Sequence, residues 1–296
     1  MIDWHNYGYT ILAGTKGENH PLVKVSRVYE QCLGRFSSYN FTVTDAMTRQ
    51  LKAEPFLIRT PILTLHDRPA GIFQPISSQE ARKEFLERCE ETKDFASSIM
   101  DGLTQLLVSS TSWTPDEDFS LLLDALVAYS TSFSSPISEL PPLLVLVTGK
   151  GPDKAKYIAR IETLKQEGKL NGIEIRTPWL SMSDYALLLA SADLGVCLHR
   201  SSSGVDLPMK VVDMFGAGLP VVGYSDYESW EELVREGDNG MGFENSDELK
   251  ELLKMLFGPA GPAALGILRK GAEREGKRRW DDEWDGVAGR VLGLCE

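Results

Sequence analysis

The segment 199–210, HRSSSGVDLPMK, holds residues well suited to binding a charged ligand. Asp206 can cap a helix whose first turn contains Pro208, and the small residues before it let a ligand approach the backbone closely. Free N–H groups at such a helix start, together with the helix dipole, favour an anion. Lys210 falls in the same turn, where its charge opposes the dipole. A bound pyrophosphate would account for this lysine, and a solvated surface lysine is the alternative.

Two polar residues flank this segment. Asp213 lies in an otherwise apolar stretch. It therefore either pairs with a neighbour such as Lys210 or bonds ligand hydroxyls, and we favour the ligand. His199 follows an apolar run. Its ring N–H could donate to a phosphate or sugar, and a purely structural histidine is the alternative.

A glycine-flanked lysine and two tryptophans mark further loops. The run Gly149-Lys150-Gly151 offers backbone freedom and one cation, which suits a phosphate, although a tight turn with a solvated lysine is more frequent. An exposed ring of Trp113 or Trp179 could stack on a base or sugar, whereas most tryptophans are largely buried. No GxGxxG or GxxxxGK[ST] motif occurs. This argues against a dinucleotide fingerprint and a P-loop.

Residues 103–258 alternate apolar runs with helical patterns, which is typical of a parallel sheet with crossover helices. The runs are short and continuously apolar, so we expect strands that are covered on both faces. Ligands of doubly wound sheets bind outside the carboxyl ends of the strands, where the loops described above lie. The predicted strands are Leu106–Ser110, Leu143–Thr148, Ile173–Thr177, Leu194–His199 and Pro220–Gly223.

Helix starts are predicted at two capping boxes, Thr114 with Glu117 and Ser229 with Glu232. Leucines from 249 to 256 share one helical face, and Gly258 ends that helix. In the mixed N-terminal region, the pattern predicts a helix over 26–36, a strand over 39–44, a helix from residue 45, and a surface helix or mobile link over 79–101. We expect three parts: 1–102, the sheet domain 103–258, and a helical tail 259–296 that packs back toward the N-terminal part.

Near the N-terminus, Asp3 and His5 follow a short predicted strand. An acid or a histidine at this place could act as a general base.

Composition excludes several classes of protein. The 296 residues carry 31 Lys and Arg against 43 Asp and Glu, a net charge of −12, so nucleic acid is not an expected partner. The four cysteines have neither metal-ligand nor disulfide-framework spacing, so we expect neither a zinc site nor a disulfide framework, and Cys197 reads as core. No metal-binding residue is assigned from the sequence, and the sequence leaves open whether a divalent metal takes part. No apolar run reaches the ~18 residues of a membrane span, and the N-terminus lacks the pattern of a secretory signal.

Several long motifs give the chain a specific resemblance. They are DWHNYGY at 3–9, LVSSTSWT at 107–114, TGKGP at 148–152, TPWL at 177–180, SADLGVCLH at 191–199, SSSG at 201–204, DLPMKVVDMFG at 206–216 and RWD at 279–281. In these segments the chain resembles the chitobiosyldiphosphodolichol β-mannosyltransferase family, and the resemblance covers nearly its whole length.

The resemblance implies a GT-B fold, in which two Rossmann-like domains face each other across a cleft. It implies GDP-mannose as the donor substrate, with no permanently bound cofactor, and a chitobiose on a dolichyl diphosphate as the acceptor. The product would be the first mannose of the lipid-linked oligosaccharide for N-glycosylation, joined by a β-1,4 linkage with inversion. The place would be the cytosolic face of the endoplasmic reticulum membrane, beside other mannosyltransferases of the pathway.

The resemblance also implies residue roles. Ser203, Gly204, Leu207, Pro208 and Lys210 would hold the diphosphate with help from Lys150. Trp179 and Leu180 would border the guanine, Asp213 would bond the ribose, and His199 would approach the sugar or phosphate. The rest of the expected donor site consists of Ser112, Trp113, Gly149, Gly151 and Asp206. Asp3 or His5 would take the proton of the acceptor hydroxyl.

One departure from the family concerns the N-terminal region. Family members have a membrane-anchoring helix and a larger acceptor domain, so we expect a complete donor domain and an incomplete acceptor domain here. The alternative function is a non-catalytic protein that binds a nucleotide sugar or a partner. An unrelated Rossmann oxidoreductase is disfavoured by the missing glycine fingerprint.

Overall fold

Two parallel β-sheets organise the chain in this computed structural model, which describes residues 1–294. The smaller sheet has the order β1-β2-β3, with strands Ile2–Trp4, Asn40–Thr42 and Ile62–Thr64. The larger sheet has the order β6-β5-β4-β7-β8-β9, with strands Gln105–Ser110 (β4), Leu143–Thr148 (β5), Ile173–Arg176 (β6), Leu194–Cys197 (β7), Val221–Tyr224 (β8) and Gly240–Phe243 (β9). The strand order reverses beside β4, which pairs with both β5 and β7. A ligand crevice is expected at that switch point.

Helices connect the strands and cover both sheets. They are α1 (Gly8–Lys16), α2 (Pro21–Leu33), α3 (Asp45–Lys52), α4 (Gln79–Arg88), α5 (Ala96–Met100), α6 (Phe119–Phe133), α7 (Lys154–Gln166), α8 (Met182–Ser191), α9 (Met209–Gly216), α10 (Trp230–Leu233), α11 (Ser246–Phe257), α12 (Gly261–Gly276), α13 (Trp280–Trp284) and α14 (Arg290–Leu292).

The strand predictions for the larger sheet are confirmed to within about two residues at each end. The strand β9 was missed, because glycine occupies two of its four positions and leaves no apolar run. The close approach of β8 explains Gly240, because a Cβ atom there would lie 2.6 Å from the carbonyl oxygen of Val221. The helix from residue 45 and the leucine-faced helix ending before Gly258 are also confirmed, and α4 forms in the segment 79–101.

Both capping-box predictions are wrong. The helix α6 begins at Phe119, capped by Asp118, whose Oδ1 accepts from the Ser120 N–H at 3.1 Å. Glu117 therefore lies before the helix and is free for another role. The Ser229 hydroxyl donates to the Asp206 carbonyl at 2.6 Å instead of capping α10. Glu232 accepts from two backbone N–H groups at the start of α3.

The two sheets share one of the hydrophobic clusters. Trp4 and Met47 from the N-terminal region belong to the same buried cluster as Leu106 and Val211 from the larger sheet domain. A second cluster lies beneath α6 and α11. A third joins Phe41 to Ala288, so the C-terminal helices contact the smaller sheet. The apolar core therefore holds the two sheets and the C-terminal helices together.

Charged groups reinforce the same contact. Arg68 pairs with Glu275 at 2.9 Å and with Glu283 at 3.0 Å, and its side chain is only 4% exposed. Arg82 pairs with Asp193 at 2.7 Å. These ion pairs join residues that are more than 100 positions apart in the sequence.

Within residues 1–294, no helix is by itself long and apolar enough to cross a membrane; α11 and α12 meet that test only as a pair, bent by 102°. Cys197 is buried, as predicted, and Cys32, Cys89 and Cys197 are free thiols. Cys295 lies outside the described residues.

Candidate functional site

Two cavities meet at Lys210, beside the switch point of the larger sheet. The first has a volume of about 350 Å³ and is lined by Ser110, Thr111, Thr148, Gly149, Trp179, Leu180, Met182, Tyr185, Lys210 and Asp213. The second has a volume of about 320 Å³ and is lined by His5, Asp67, Ser112, Asp116, Glu117, His199, Asp206, Leu207, Pro208, Met209 and Lys210. The residues around the second cavity come from both the N-terminal region and the sheet domain.

The ammonium of Lys210 has a partner that sequence reasoning missed. It pairs with Glu117 and lies 3.3 Å from the Ser112 hydroxyl. The Glu117 side chain is 2% exposed and that of Lys210 is 26% exposed. The sequence signal was misleading here, because Glu117 looked like part of a capping box. Lys210, which lines both cavities, is therefore held by a buried carboxylate.

Asp213 lines the first cavity without joining this pair. Within residues 1–294 it makes no ion pair, and burial raises its pKa to about 6. The alternative in which Asp213 pairs with Lys210 is thus wrong. Nearby, Tyr185 and Ser110 share a 2.8 Å hydrogen bond between their hydroxyls, a pair that the sequence did not single out. Besides the Lys210 ammonium, the first cavity thus offers the Asp213 carboxyl and four hydroxyl-bearing side chains beside apolar ones.

Asp206 organises the loop before α9 instead of capping that helix. The helix begins at Met209, with Pro208 at its cap position. The Asp206 carboxylate contacts the His199 ring at 3.0 Å, the Asn6 amide at 3.2 Å and the Ser201 hydroxyl. Burial alone would raise the pKa of Asp206, but the contacts from His199 and Ser201 outweigh it and lower that pKa. His199 is therefore held by a carboxylate at the wall of the second cavity.

Ser203 and Gly204 do not reach either cavity lining within the described chain. The Gly204 N–H already donates to the Ser201 hydroxyl at 2.7 Å, so it is not free for a phosphate in this conformation. Gly204 has a φ of 78°, a left-handed conformation that suits glycine in a turn. These two residues shape the loop that carries Asp206.

The GKG run serves close backbone packing. A Cβ atom at Gly149 or at Gly151 would lie 1.7 Å from the carbonyl oxygen of Thr111 or Ser112, respectively. Both glycines thus let the loop after β5 approach the loop after β4. Lys150 does not line either cavity among residues 1–294; its ammonium lies 3.9 Å from the centre of the Trp179 ring.

The two loop tryptophans have different environments. Trp113 is fully buried and contacts Phe119, with ring centres 4.8 Å apart, so its ring is a core residue and cannot stack on a ligand. Trp179 is 62% exposed at the rim of the first cavity. Of the two, Trp179 alone offers a face for a flat ring.

His5 and Asp67 form a wall of the second cavity together. The His5 Nδ1 atom lies 3.6 Å from Asp67, and its Nε2 atom lies 3.1 Å from Asp3. The Asp67 contact, followed by that of Asp3, raises the pKa of His5 to about 9 against the opposing effect of burial. Asp3 is 57% exposed and does not line the cavity, whereas the Asp67 side chain is 14% exposed. The sequence did not single out Asp67, which lies among prolines with no motif around it.

One group within residues 1–294 has the residue types of a metal site: ligand atoms of Asp45, His66 and Glu232 lie within 4.8 Å of one another. Their contacts are already satisfied by protein groups. Both Glu232 oxygens accept N–H bonds from α3, and His66 lies between Glu232 at 3.4 Å and Glu283 at 3.1 Å. We therefore read this group as an ion-pair network between the N-terminal region and the elements packed on it.

Comparison with known proteins adds three findings. Residues 105–257 match the family model described as Glycosyl transferases group 1. The chain is 55% identical over 294 residues to a chitobiosyldiphosphodolichol beta-mannosyltransferase of Arthroderma benhamiae, covering 99% of this chain and 65% of that protein. The human protein of the same name is 43% identical over 96% of this chain and 65% of its own length.

Among solved structures, Anabaena HepE in complex with UDP and glucose is similar, with a TM-score of 0.67, 15% identity, and coverage of 99% of this chain and 71% of that chain. At this identity the likeness concerns the fold alone, and it confirms the expected GT-B architecture. The relatives' names confirm the resemblance seen in the motifs. The chain spans less than two thirds of the length of both curated relatives.

Proposed function

The chain belongs to the group 1 glycosyl transferase family, and on that premise we propose that it takes part in transferring mannose from GDP-mannose to a chitobiose carried on dolichyl diphosphate. The new bond is a β-1,4 linkage made with inversion. The proposal rests on the names of relatives that are 55% and 43% identical to the chain. The observation in the molecule that carries it is the meeting of two cavities at one lysine, Lys210.

The first cavity suits the nucleoside part of the donor. Trp179 offers an exposed face for the guanine beside Leu180, and Asp213 provides a carboxyl for ribose hydroxyls. Most of its surface is apolar carbon with a few convergent polar groups, as is usual for small-molecule sites.

The junction of the cavities suits the diphosphate. In both linings Lys210 is the only lysine or arginine, and it lies in the first turn of α9, where the helix dipole also favours an anion. When the bond between mannose C1 and the diphosphate oxygen breaks, negative charge grows on that oxygen. A cation and oriented N–H groups at this place stabilise the departing GDP.

The second cavity would receive the mannose and the acceptor. The acceptor oxygen bonds to C1 as GDP leaves, and its proton passes to a base. Asp3 and His5 were the candidates from sequence, and Asp67 joins them because its carboxylate lines the cavity and contacts His5. His199 lies on the same cavity wall, where it could contact the sugar.

The proposed acceptor indicates where in the cell the protein works. A dolichol-linked acceptor resides in a membrane, so we propose that the protein works at the cytosolic face of the endoplasmic reticulum, beside other mannosyltransferases of the pathway. The names of the relatives support the dolichol-linked acceptor on which this assignment rests.

Calorimetric titration of the purified chain with GDP-mannose, using UDP-GlcNAc as control, tests the donor site. Selective binding of GDP-mannose is expected. A well-folded sample that binds neither compound would refute the donor site. Incubation of the chain with GDP-mannose and a synthetic lipid-linked chitobiose, followed by product analysis, then tests transfer.

A further inference from the structure

We infer that Glu117 is a positioning residue for the donor diphosphate: it holds the Lys210 ammonium at the junction of the two cavities. The inference rests on the proposed function, because it concerns the same donor site. Glu117 belongs to none of the motifs from which donor-site roles were assigned.

The two oxygens of Glu117 have separate tasks. Oε2 accepts from the Thr111 hydroxyl at 2.9 Å and from the Ser112 N–H, which fixes the carboxylate to the loop after β4. Oε1 faces the Lys210 ammonium. The loop therefore holds Glu117, and Glu117 in turn holds the lysine.

The backbone around Glu117 is also fixed. Glu117 pairs with His199 in an isolated antiparallel bridge, and the Arg200 N–H donates to the Asp116 carbonyl at 3.0 Å. The loop after β4 is thereby tied to the loop after β7, whose continuation leads into α9. These backbone bonds therefore fix the segment that carries Glu117 against the segment that leads to Lys210.

The two side chains of this ion pair differ in burial. Glu117 is almost fully buried, whereas Lys210 is partly exposed toward the cavities. A lysine has four flexible side-chain bonds, and ordering them costs entropy when an anion binds. Because the buried carboxylate orders them in advance, less of this entropy remains to be lost when a diphosphate arrives.

Other lysines near the site are engaged elsewhere. The Lys154 ammonium donates to the carbonyls of Gly149 and Thr177 at 3.2 and 3.0 Å, and Lys150 lies over Trp179. The preorganisation of the diphosphate site therefore depends on the contact between Glu117 and Lys210.

The test is GDP binding by calorimetry to wild type, Glu117→Gln, Lys210→Met and the double variant, with circular dichroism to verify folding. In Glu117→Gln the amide oxygen can still accept from Ser112, but the ammonium loses its carboxylate. We expect GDP affinity to fall at least tenfold in Glu117→Gln. In the Lys210→Met background, the Glu117→Gln change should alter affinity less than twofold, because the lysine that it positions is gone. Asp124→Asn, the same charge change at an exposed site on α6, should leave affinity unchanged.

Three results would overturn the inference. Unchanged or tighter GDP binding in Glu117→Gln would mean that the carboxylate only counteracts the lysine charge. An equal loss in the Lys210→Met background would mean that Glu117 acts through the loop alone. A wild-type chain that binds no GDP would refute the donor site and this inference with it, whereas binding by the wild type together with either of the first two results refutes the inference alone.

A second measurement, thermal unfolding without ligand, checks the pair independently. Lys210→Met should lower Tm by leaving a buried unpaired carboxylate, and adding Glu117→Gln should restore part of that loss. If the double variant has a lower Tm than Lys210→Met, the Glu117 carboxylate is not destabilised by loss of Lys210, and the proposed ion pair is refuted.

Discussion

The Nδ1 atom of His5 lies 3.6 Å from the carboxylate of Asp67, at the wall of the second cavity. The contact joins the carboxyl end of β1 to the segment after β3, so the smaller sheet brings the two residues together. With its pKa raised to about 9, His5 is an imidazolium at neutral pH. A protonated imidazole cannot accept a proton, so in the proposed transfer Asp67 is a better candidate than His5 for the base.

Asp67→Asn should lower the pKa of His5 from about 9 toward its ordinary value, because the Asp67 contact makes the largest contribution to the shift. NMR titration of the His5 ring protons measures this. Asp3→Asn is the matched control, since it removes the more exposed carboxylate and should shift the pKa less. If Asp3→Asn lowers the pKa of His5 more than Asp67→Asn does, the Asp67 contact is not the larger of the two contributions.

Trp179→Ala should weaken GDP binding, because the exposed ring at the cavity rim loses its stacking face. Stacking of a base on an aromatic side chain is worth about 1–3 kcal/mol, so a loss of affinity of roughly 5- to 150-fold is expected in calorimetry. Ile267→Ala, which truncates another exposed apolar side chain on α12, is the control and should not change affinity. Equal affinity of wild type and Trp179→Ala would place the base elsewhere.

Asp213→Asn should stabilise the unliganded chain at neutral pH. Burial raises the pKa of Asp213 to about 6, so between about pH 4 and 6 the folded state keeps a proton that the unfolded state has lost. As the pH rises through that range, this group lowers the free energy of unfolding. Above about pH 6 the buried carboxyl is ionised, and the whole cost of burying its charge applies. After allowance for solvent screening, the gain in Asp213→Asn is on the order of 1 kcal/mol at pH 7 and close to zero at about pH 3.5.

Urea unfolding at these two pH values measures the difference. Asp124→Asn serves as the control for a general charge effect. The expectation fails if Asp213→Asn changes the free energy of unfolding equally at both pH values. The same variant should bind GDP more weakly than wild type, since the proposed ribose contact is lost.

Arg68→Met should destabilise the contact between the N-terminal region and the C-terminal helices. The Arg68 side chain pairs with Glu275 and Glu283, whose side chains are 7% and 14% exposed. After removal of Arg68, Glu275 keeps Arg235 at 3.1 Å and Glu283 keeps His66 at 3.1 Å, so both carboxylates stay partly compensated. The expected cost is therefore about 1.5–3 kcal/mol, the contribution of hydrogen bonds to charged groups, and lies below that of an uncompensated buried charge. The control variant Arg274→Met removes an arginine that pairs with Asp238 at the surface, and the expected cost is about 1 kcal/mol or less. Chemical denaturation of both variants checks this, and equal losses would rule out a special role of Arg68.

Local pattern was enough for five of the six strands that the structure describes in the larger sheet. Runs such as 143–148 are continuously apolar, and burial on both faces requires such a composition, so strand position followed directly from the residues. The pattern failed at β9, where Gly240 is required by the neighbouring backbone of Val221. It also failed at Thr114, because Asp118 caps α6 instead, and at Ser229, whose hydroxyl bonds the distant Asp206 carbonyl. A cap depends on a local hydrogen bond, and a distant partner can take its place.

By itself the sequence determined the doubly wound domain, the family resemblance, and the loops in which the proposed donor site lies. It also singled out Lys210, Asp213 and Trp179, which line the first cavity. Only the tertiary structure decided the partners. Glu117 and Lys210 are 93 positions apart, and His5 and Asp67 come from different strand ends. Composition and periodicity describe a residue's near neighbours along the chain, whereas charge pairing depends on distances that exist only after the strands and helices have packed.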